Sequence, residues 1–246
     1  MNSRERLHQR TDAFLRCRAA EDSSRFGALR SISRPALTIS RETGARGLAI
    51  GEAVVDYLDQ FDETAEHGWA LFDQGLVAET IEDRHFRNTT RTLPEGDAGA
   101  MHEAVAELFE QPESEWSLFQ HTAATIRHLC TLGNVVIVGR GANFISQDLP
   151  HTFHVRLVGS ETRRAEHLSR VLKLSAGDAL RYARQRDEAR QTYIRRHFDR
   201  NVAETATYHL VLNTDRFDDE IAARIVGDTL LEWAGMHCLT AESAAV

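Results

Sequence analysis

The parts of this 246-residue chain best suited to chemistry are arginines and glycines at the ends of apolar runs. Ala36-Leu-Thr-Ile-Ser40 ends in Arg41-Glu42-Thr43-Gly44-Ala45-Arg46-Gly47-Leu48, and apolar residues then recur at Ile50, Val54, Tyr57 and Leu58. A strand, a glycine-containing turn and a helix in that order make an anion site. Glycine lets the backbone fold close to a phosphate, and the free N–H groups at the helix start point at it. The run does not match the GxxxxGK[ST] phosphate loop. With Gly44 set on an interior glycine of that pattern, Arg41 stands at the first glycine and Arg46 at the last. Gly47 then stands at the lysine, and Ala49 at the Ser/Thr that tethers Mg²⁺. Lys173 is the only lysine, so 28 of the 29 basic residues are arginine and no lysine completes the loop locally. An ordinary strand-to-helix turn is the plain alternative.

Arginine is also dense in Arg181-Tyr-Ala-Arg-Gln-Arg-Asp187-Glu-Ala-Arg190, followed by Arg195 and Arg196. Guanidinium forks bind phosphate bidentately and stay charged. The same spacing also describes a solvated, salt-bridged helix face. The twelve histidines include His121 and His128 seven apart, and His151 and His154 three apart, but no HExxH, so packing or surface roles are expected and no metal ligands. No Gly-x-Ser-x-Gly elbow occurs. Cys17, Cys130 and Cys238 have no CxxC spacing, which fits a reducing, cytoplasmic setting without disulfides. A net charge of −8 argues against nucleic acid as a partner. Apolar runs as short as Val135 to Val138 exclude a membrane span.

The elements that must position these residues follow from periodicity. Strands are expected at 36–40, 69–72, 134–138, 153–158 and 208–212. Helices are expected at 48–58, 76–81, 100–110, 116–132, 161–172, 176–187, 188–202 and 218–233. The stretch 83–99 is polar and reads as a surface segment. Residues 1–33 read as a basic amphipathic helix and tether, a loose tail or a candidate surface for a homo-oligomer. Residues 34–246 form the main domain. Strands separated by helices indicate a parallel α/β sheet, with its ligand site beyond the carboxyl ends of the strands.

Leu37-Thr-Ile-Ser-Arg-Glu-Thr-Gly-Ala-Arg-Gly47 resembles the "ISREYGSGG" opening of the cytidylate-kinase-like family, a divergent branch of the P-loop nucleoside-monophosphate kinases. The similarity continues through Leu71-Phe-Asp73, Val136-Ile-Val-Gly-Arg-Gly-Ala142, His154-Val-Arg-Leu157, Arg163-Arg164, Asp187-Glu-Ala-Arg190 with Tyr193, and Tyr208-His-Leu-Val-Leu-Asn-Thr214. The resemblance implies a three-layer P-loop NTPase-type parallel sheet with helices on both faces. It implies a mobile acceptor segment at about 60–130 and a helical lid at about 180–205.

It further implies an ATP-dependent phosphotransferase acting on a nucleoside monophosphate or similar small acceptor. By that likeness Arg41, Thr43, Gly44, Ala45, Arg46, Gly47 and Leu48 hold the donor phosphates. Asp73 and Arg140 serve the acceptor, Arg163 or Arg164 with Arg190 neutralise the transferring group, and Asp187 orients the lid. Arg46 either stands in for the missing lysine or fills the loop. Mg²⁺ would be held mainly by nucleotide phosphates, with Glu42 or Asp73 as the one carboxylate. The alternatives are a catalytically silent nucleotide-binding regulatory module and a site for another phosphorylated compound, such as a sulfate-transfer donor.

Overall fold

The computed structural model describes residues 3–24, 34–73, 75–77, 80, 115–139 and 141–243; the expected helix at 100–110, the polar stretch at 83–99 and Arg140 lie outside the described residues. Five strands make one parallel sheet in the order β2-β3-β1-β4-β5: β1 Ala36–Arg41, β2 Ala70–Phe72, β3 Val135–Val138, β4 Thr152–Val158 and β5 Leu210–Asn213. Register places Thr38 opposite His154 and Ser40 opposite Arg156. These strands follow the apolar runs of the sequence, with β5 starting two residues later than expected.

Strand alternation gives the sheet two different faces. Ile39, Leu71 and Val138 lie under Gly51 of α2 (Gly47–Phe61), where a Cβ would sit 2.8 Å from Leu71. That face forms the main core with α7 (Asp219–Ser243), whose Ala222, Val226 and Leu230 are buried. On the opposite side lie α3 (Glu115–Leu132) and the short α4 (Ala142–Ile145), which periodicity did not reveal. There β1 and β4 bury Thr38, Ser40, His154 and Arg156, a polar stripe on that face of the sheet.

The segment 161–198 is a helical hairpin. α5 (Glu161–Leu172) is capped by Ser160, whose Oγ accepts from Arg163 N, and α6 (Ala176–Phe198) by Ser175, whose Oγ accepts from Asp178 N. Two helices were expected across 176–202, but one is found. No glycine or proline follows Gly177 to interrupt it, and Asp199 closes it in the left-handed conformation. Ala165 and Leu168 pack on Ala179 and Ala183, and Arg184 pairs bidentately with Glu161.

α1 (Ser3–Ser24) is seated on the domain and does not trail from it. Leu7 and Phe14 enter the main core, Arg10 pairs with Asp56 and Asp59 of α2, and Thr11 Oγ1 donates to Leu71 O. It covers β2, the edge strand whose unpaired backbone would otherwise face solvent. Phe14→Ala should therefore cost about 3 kcal/mol in urea unfolding. An unchanged midpoint would mean the helix contributes nothing to the fold.

Candidate active site

Between β1 and α2 the chain turns through Gly44 at φ +89° and Arg46 at φ +58°. Gly44 is required there, because a Cβ would lie 2.6 Å from the Arg164 carbonyl oxygen. Arg46 occupies the N-cap of α2 yet supplies no side-chain cap. Among the described residues no backbone acceptor takes the N–H of Gly47, Leu48 or Ala49. A helix start left uncapped beside a glycine turn directs partial positive charge outward and suits a phosphate.

The Arg46 side chain is engaged elsewhere. Its Nη1 meets Asp219 Oδ1 at 2.7 Å, and its Nη2 donates to Thr214 O at 2.5 Å and Phe217 O at 2.6 Å. It thereby fastens the loop to the turn after β5. Arg46, Gly44, Arg163 and that turn wall a cleft of about 400 Å³.

A charged hub joins the loop to the hairpin. Arg164 Nη1 donates to Thr43 O at 2.9 Å and Asp187 Oδ2 at 2.7 Å, while its Nε donates to Gly159 O at 3.0 Å. Asp187 Oδ1 accepts from the Thr43 amide at 2.8 Å and from Arg190 Nη1 at 2.7 Å. Arg190 also reaches Thr43 Oγ1 at 3.3 Å. Glu42 Oε2 accepts from Gly159 N and lies 3.4 Å from Arg164. The structure thus brings Thr43, Gly44, Arg164, Asp187 and Arg190 together, and separates Arg163, which pairs on the surface with Glu166.

A second cleft, of about 200 Å³, opens beyond the ends of β1 and β3 under α6; Arg41, Arg186, Arg190, Tyr193 and Asn143 line it. Arg186, Asn143 and the buried Arg156 were not singled out as site residues from sequence. Arg156 sits on the polar stripe, donating to Ser40 Oγ at 3.1 Å with Glu42 3.9 Å away and the Tyr208 ring beneath it. In the sequence it showed only as an arginine within an expected strand and as part of the His154-Val-Arg-Leu157 block of the resemblance. Arg140 lies between Gly139 and Gly141, both at positive φ, but outside the described residues.

His154, on the same stripe, is within 2.8 Å of Thr38 Oγ1 through Nδ1. Burial, with His209 adding to it, pushes its pKa down to about 4 from the ordinary 6.5. A histidine held neutral when folded binds fewer protons than when unfolded, so its contribution is lost as pH falls from 6.5 towards 4. His151 and His167 are pushed the same way by burial. The His154 part is therefore the difference between wild type and His154→Gln, whose urea midpoint should fall less steeply across that window. The expected difference is up to about 3 kcal/mol. Parallel pH profiles would show that His154 does not couple to folding.

The residues present do not form a metal cage: among the described residues no group of three His, Cys, Asp or Glu could hold an ion. Glu42 is taken up by Arg164 and the Gly159 amide, and Asp73 Oδ1 caps the Leu76 amide at 2.9 Å. Cys130 is buried, with its thiol pushed up to about 12 by burial, which makes it a packing residue. Among the described residues no helix is long and apolar enough to cross a membrane.

A glycine turn at the carboxyl end of the central strand, an uncapped helix start and arginines from a helical hairpin lie together on a three-layered α/β protein with a five-stranded parallel sheet. The chain belongs to the cytidylate kinase-like family, whose profile matches residues 36–216. It is similar in structure to an uncharacterized protein from Eubacterium ventriosum ATCC 27560, at 17% identity and a TM-score of 0.61, covering 81% of this chain and 99% of that one. Weaker likenesses include a shikimate kinase from Bacteroides thetaiotaomicron (15% identity, TM-score 0.46, 80% and 98% covered) and a gluconokinase from Sinorhizobium meliloti 1021 (12%, 0.42, 84% and 96%). No curated protein matches the chain.

Proposed function

We propose that this kinase-like protein transfers a phosphoryl group from ATP to a nucleoside monophosphate or similar small phosphorylated acceptor. The observation that carries this reading is the uncapped start of α2 beside Gly44, facing a hub of arginines from the lid hairpin. Donor phosphates would lie on the Thr43–Leu48 backbone, and the donor nucleoside in the 400 Å³ cleft beside Arg163 and Thr214. The acceptor would enter under Arg41, Arg186 and Arg190; by the family resemblance Arg140 would hold its phosphate.

Phosphoryl transfer asks the protein mainly to align the groups and balance charge on the equatorial oxygens. Arg190 is the residue best placed to do so, since it projects from α6 to reach Thr43 of the loop. When bound, Mg²⁺ would neutralise donor phosphate charge, held mainly by those phosphates and water, since no group of three His, Cys, Asp or Glu that could hold an ion is found among the described residues. Arg164 and Asp187 act as positioning residues that set loop against lid, and closure of α6 excludes water.

The test is ATP titration followed by ADP release across a panel of nucleoside monophosphates. Micromolar binding with acceptor-dependent release, lost in Arg190→Ala, is expected; no ATP binding at millimolar concentration would overturn the reading. One observation favours a second reading, a catalytically silent nucleotide-binding module: Arg46 is held by Asp219 and two carbonyls and so is not free to stand in for the missing lysine. Binding without any acceptor-dependent ADP release would favour it.

A further inference from the structure

The loop between β1 and α2 lacks the lysine of a P-loop, and two other cations are badly placed to replace it. Lys173, the only lysine, caps the far end of α5, about 14 Å along the helix from Arg164, which touches the loop. The Arg46 guanidinium is bonded to Asp219, Thr214 O and Phe217 O.

Arg41 is placed differently. It ends β1, and its side chain runs across the start of α2 to the end of β3, where two glycines make room for it. A Cβ on Gly47, the first residue of α2, would lie 2.8 Å from Arg41 Cγ and 3.1 Å from Arg41 Cβ. A Cβ on Gly139, just past β3, would lie 1.9 Å from Arg41 Nη1 and 2.9 Å from Cζ. Gly139 stands at φ +96°, a conformation that itself favours glycine. Gly47 does not lie in the left-handed region, and the first residue of a helix has no backbone need of glycine. The space left by its missing side chain is taken by the Arg41 stem. The guanidinium carried by that stem reaches the cleft that Arg186 and Arg190 also line, and no carboxylate is among the described residues lining it. Glu42, next along the chain, is turned the other way, onto the Gly159 amide and Arg164.

We infer that Arg41 supplies the cation that a P-loop takes from lysine, and that it binds the terminal phosphoryl group of a polyphosphate donor. A cation reaching from β1 over the start of α2 meets the end of a phosphate chain laid on the α2 amides. Its planar fork matches two oxygens of that end group, which a lysine would meet as a point charge. During transfer an acceptor oxygen bonds to the terminal phosphorus while the bond to the bridging oxygen breaks. ADP leaves with that electron pair, and Arg41, charged throughout, gains and loses no proton. The inference rests on the proposed donor site, since it needs phosphates on the α2 amides.

The experiment is calorimetric titration of the full chain with ATP, ADP and inorganic tripolyphosphate at constant salt. Arg41→Met keeps a stem against Gly47 and removes the charge. It should weaken ATP and tripolyphosphate by about 30-fold and ADP by less than about threefold, the loss of one charge-assisted fork. Gly139→Ala leaves Arg41 in the chain but displaces its guanidinium, and should give the same ATP-selective loss. If that variant does not fold, Arg41→Met decides alone. Equal losses for ATP and ADP, or no loss, overturn the inference, because Arg41 then serves the acceptor or only packs. Tripolyphosphate binding that depends on Arg41, without ATP binding or ADP release, upholds the inference and overturns the kinase reading. ADP release with kcat and KM unchanged in Arg41→Met does the reverse. A wild-type chain that binds neither ATP nor tripolyphosphate overturns both.

Discussion

Arg164→Met is expected to lower folding stability by about 2–3 kcal/mol and to abolish binding of ATP. The guanidinium is 9% exposed and holds two carbonyls and the Asp187 carboxylate, with Glu42 close by. Removing one partner of a buried ion pair usually costs about 3–5 kcal/mol, because the other charge is left uncompensated. Here Asp187 and Glu42 keep 27% exposure each, so water softens the penalty. The double variant Arg164→Met/Asp187→Leu removes the stranded carboxylate and should recover much of the stability. It should not recover ATP binding, because both hydrogen bonds to the Thr43 backbone are gone and only the 3.3 Å contact of Arg190 with Thr43 Oγ1 then joins the loop to α6. Urea unfolding and calorimetric titration of both variants check the two halves separately. Equal stability of the single variant and wild type would mean the hub is a solvated surface network, which the sequence alone also permitted.

The sheet was legible because parallel strands buried on both faces read as unbroken apolar runs, as Val135 to Val138 does. The loop was legible from Gly44 and Gly47 placed between an apolar run and a helical period. Arg164, Asp187 and Arg190 were reached through resemblance, since their types and spacing alone describe a solvated helix face just as well. What no local pattern carries is the direction of a long side chain. Arg46 turns to Asp219, 173 residues away, and Arg164 to Thr43, 121 residues away. Such partners are set by how β5 and α5 dock on the loop, which depends on the whole sheet order. The polar stripe escaped for a related reason: Thr38, Ser40, His154 and Arg156 alternate with apolar neighbours, and that pattern marks a solvated face until α4 and α6 are seen to cover it. The unbroken α6 was missed because Asp187-Glu188 looks like a helix start, although here Asp187 is turned sideways into the hub.

Gly44→Ala should weaken ATP binding by about 100-fold while leaving the fold in place, and the contrast with Arg46→Gly tells which part of the loop does the binding. At Gly44 the backbone has φ +89°, where an L side chain is strained by roughly 1–2 kcal/mol. Its Cβ would also meet the Arg164 carbonyl oxygen at 2.6 Å, a backbone atom inside α5 that cannot turn aside as a side chain could. Relief requires the loop to move away from α5, which takes Thr43 off Arg164 and Asp187 and tilts the amides at the start of α2. A displacement of that kind costs an anion site on the order of 100-fold in affinity, about 2.7 kcal/mol. Arg46→Gly does the reverse: glycine accepts φ +58° without strain, so the loop keeps its path, but the three bonds to Thr214, Phe217 and Asp219 are lost. If the backbone cradle binds the donor, this variant loses only about fivefold, through a looser wall of the 400 Å³ cleft. If the Arg46 guanidinium swings in to replace the lysine that a P-loop would supply, Arg46→Gly loses as much as Gly44→Ala. Titrating both variants with ATP, and repeating with ADP to remove the terminal phosphate, separates the two arrangements. A loss in Arg46→Gly that is confined to ATP would place the guanidinium on the terminal phosphate and overturn its role as a fastener.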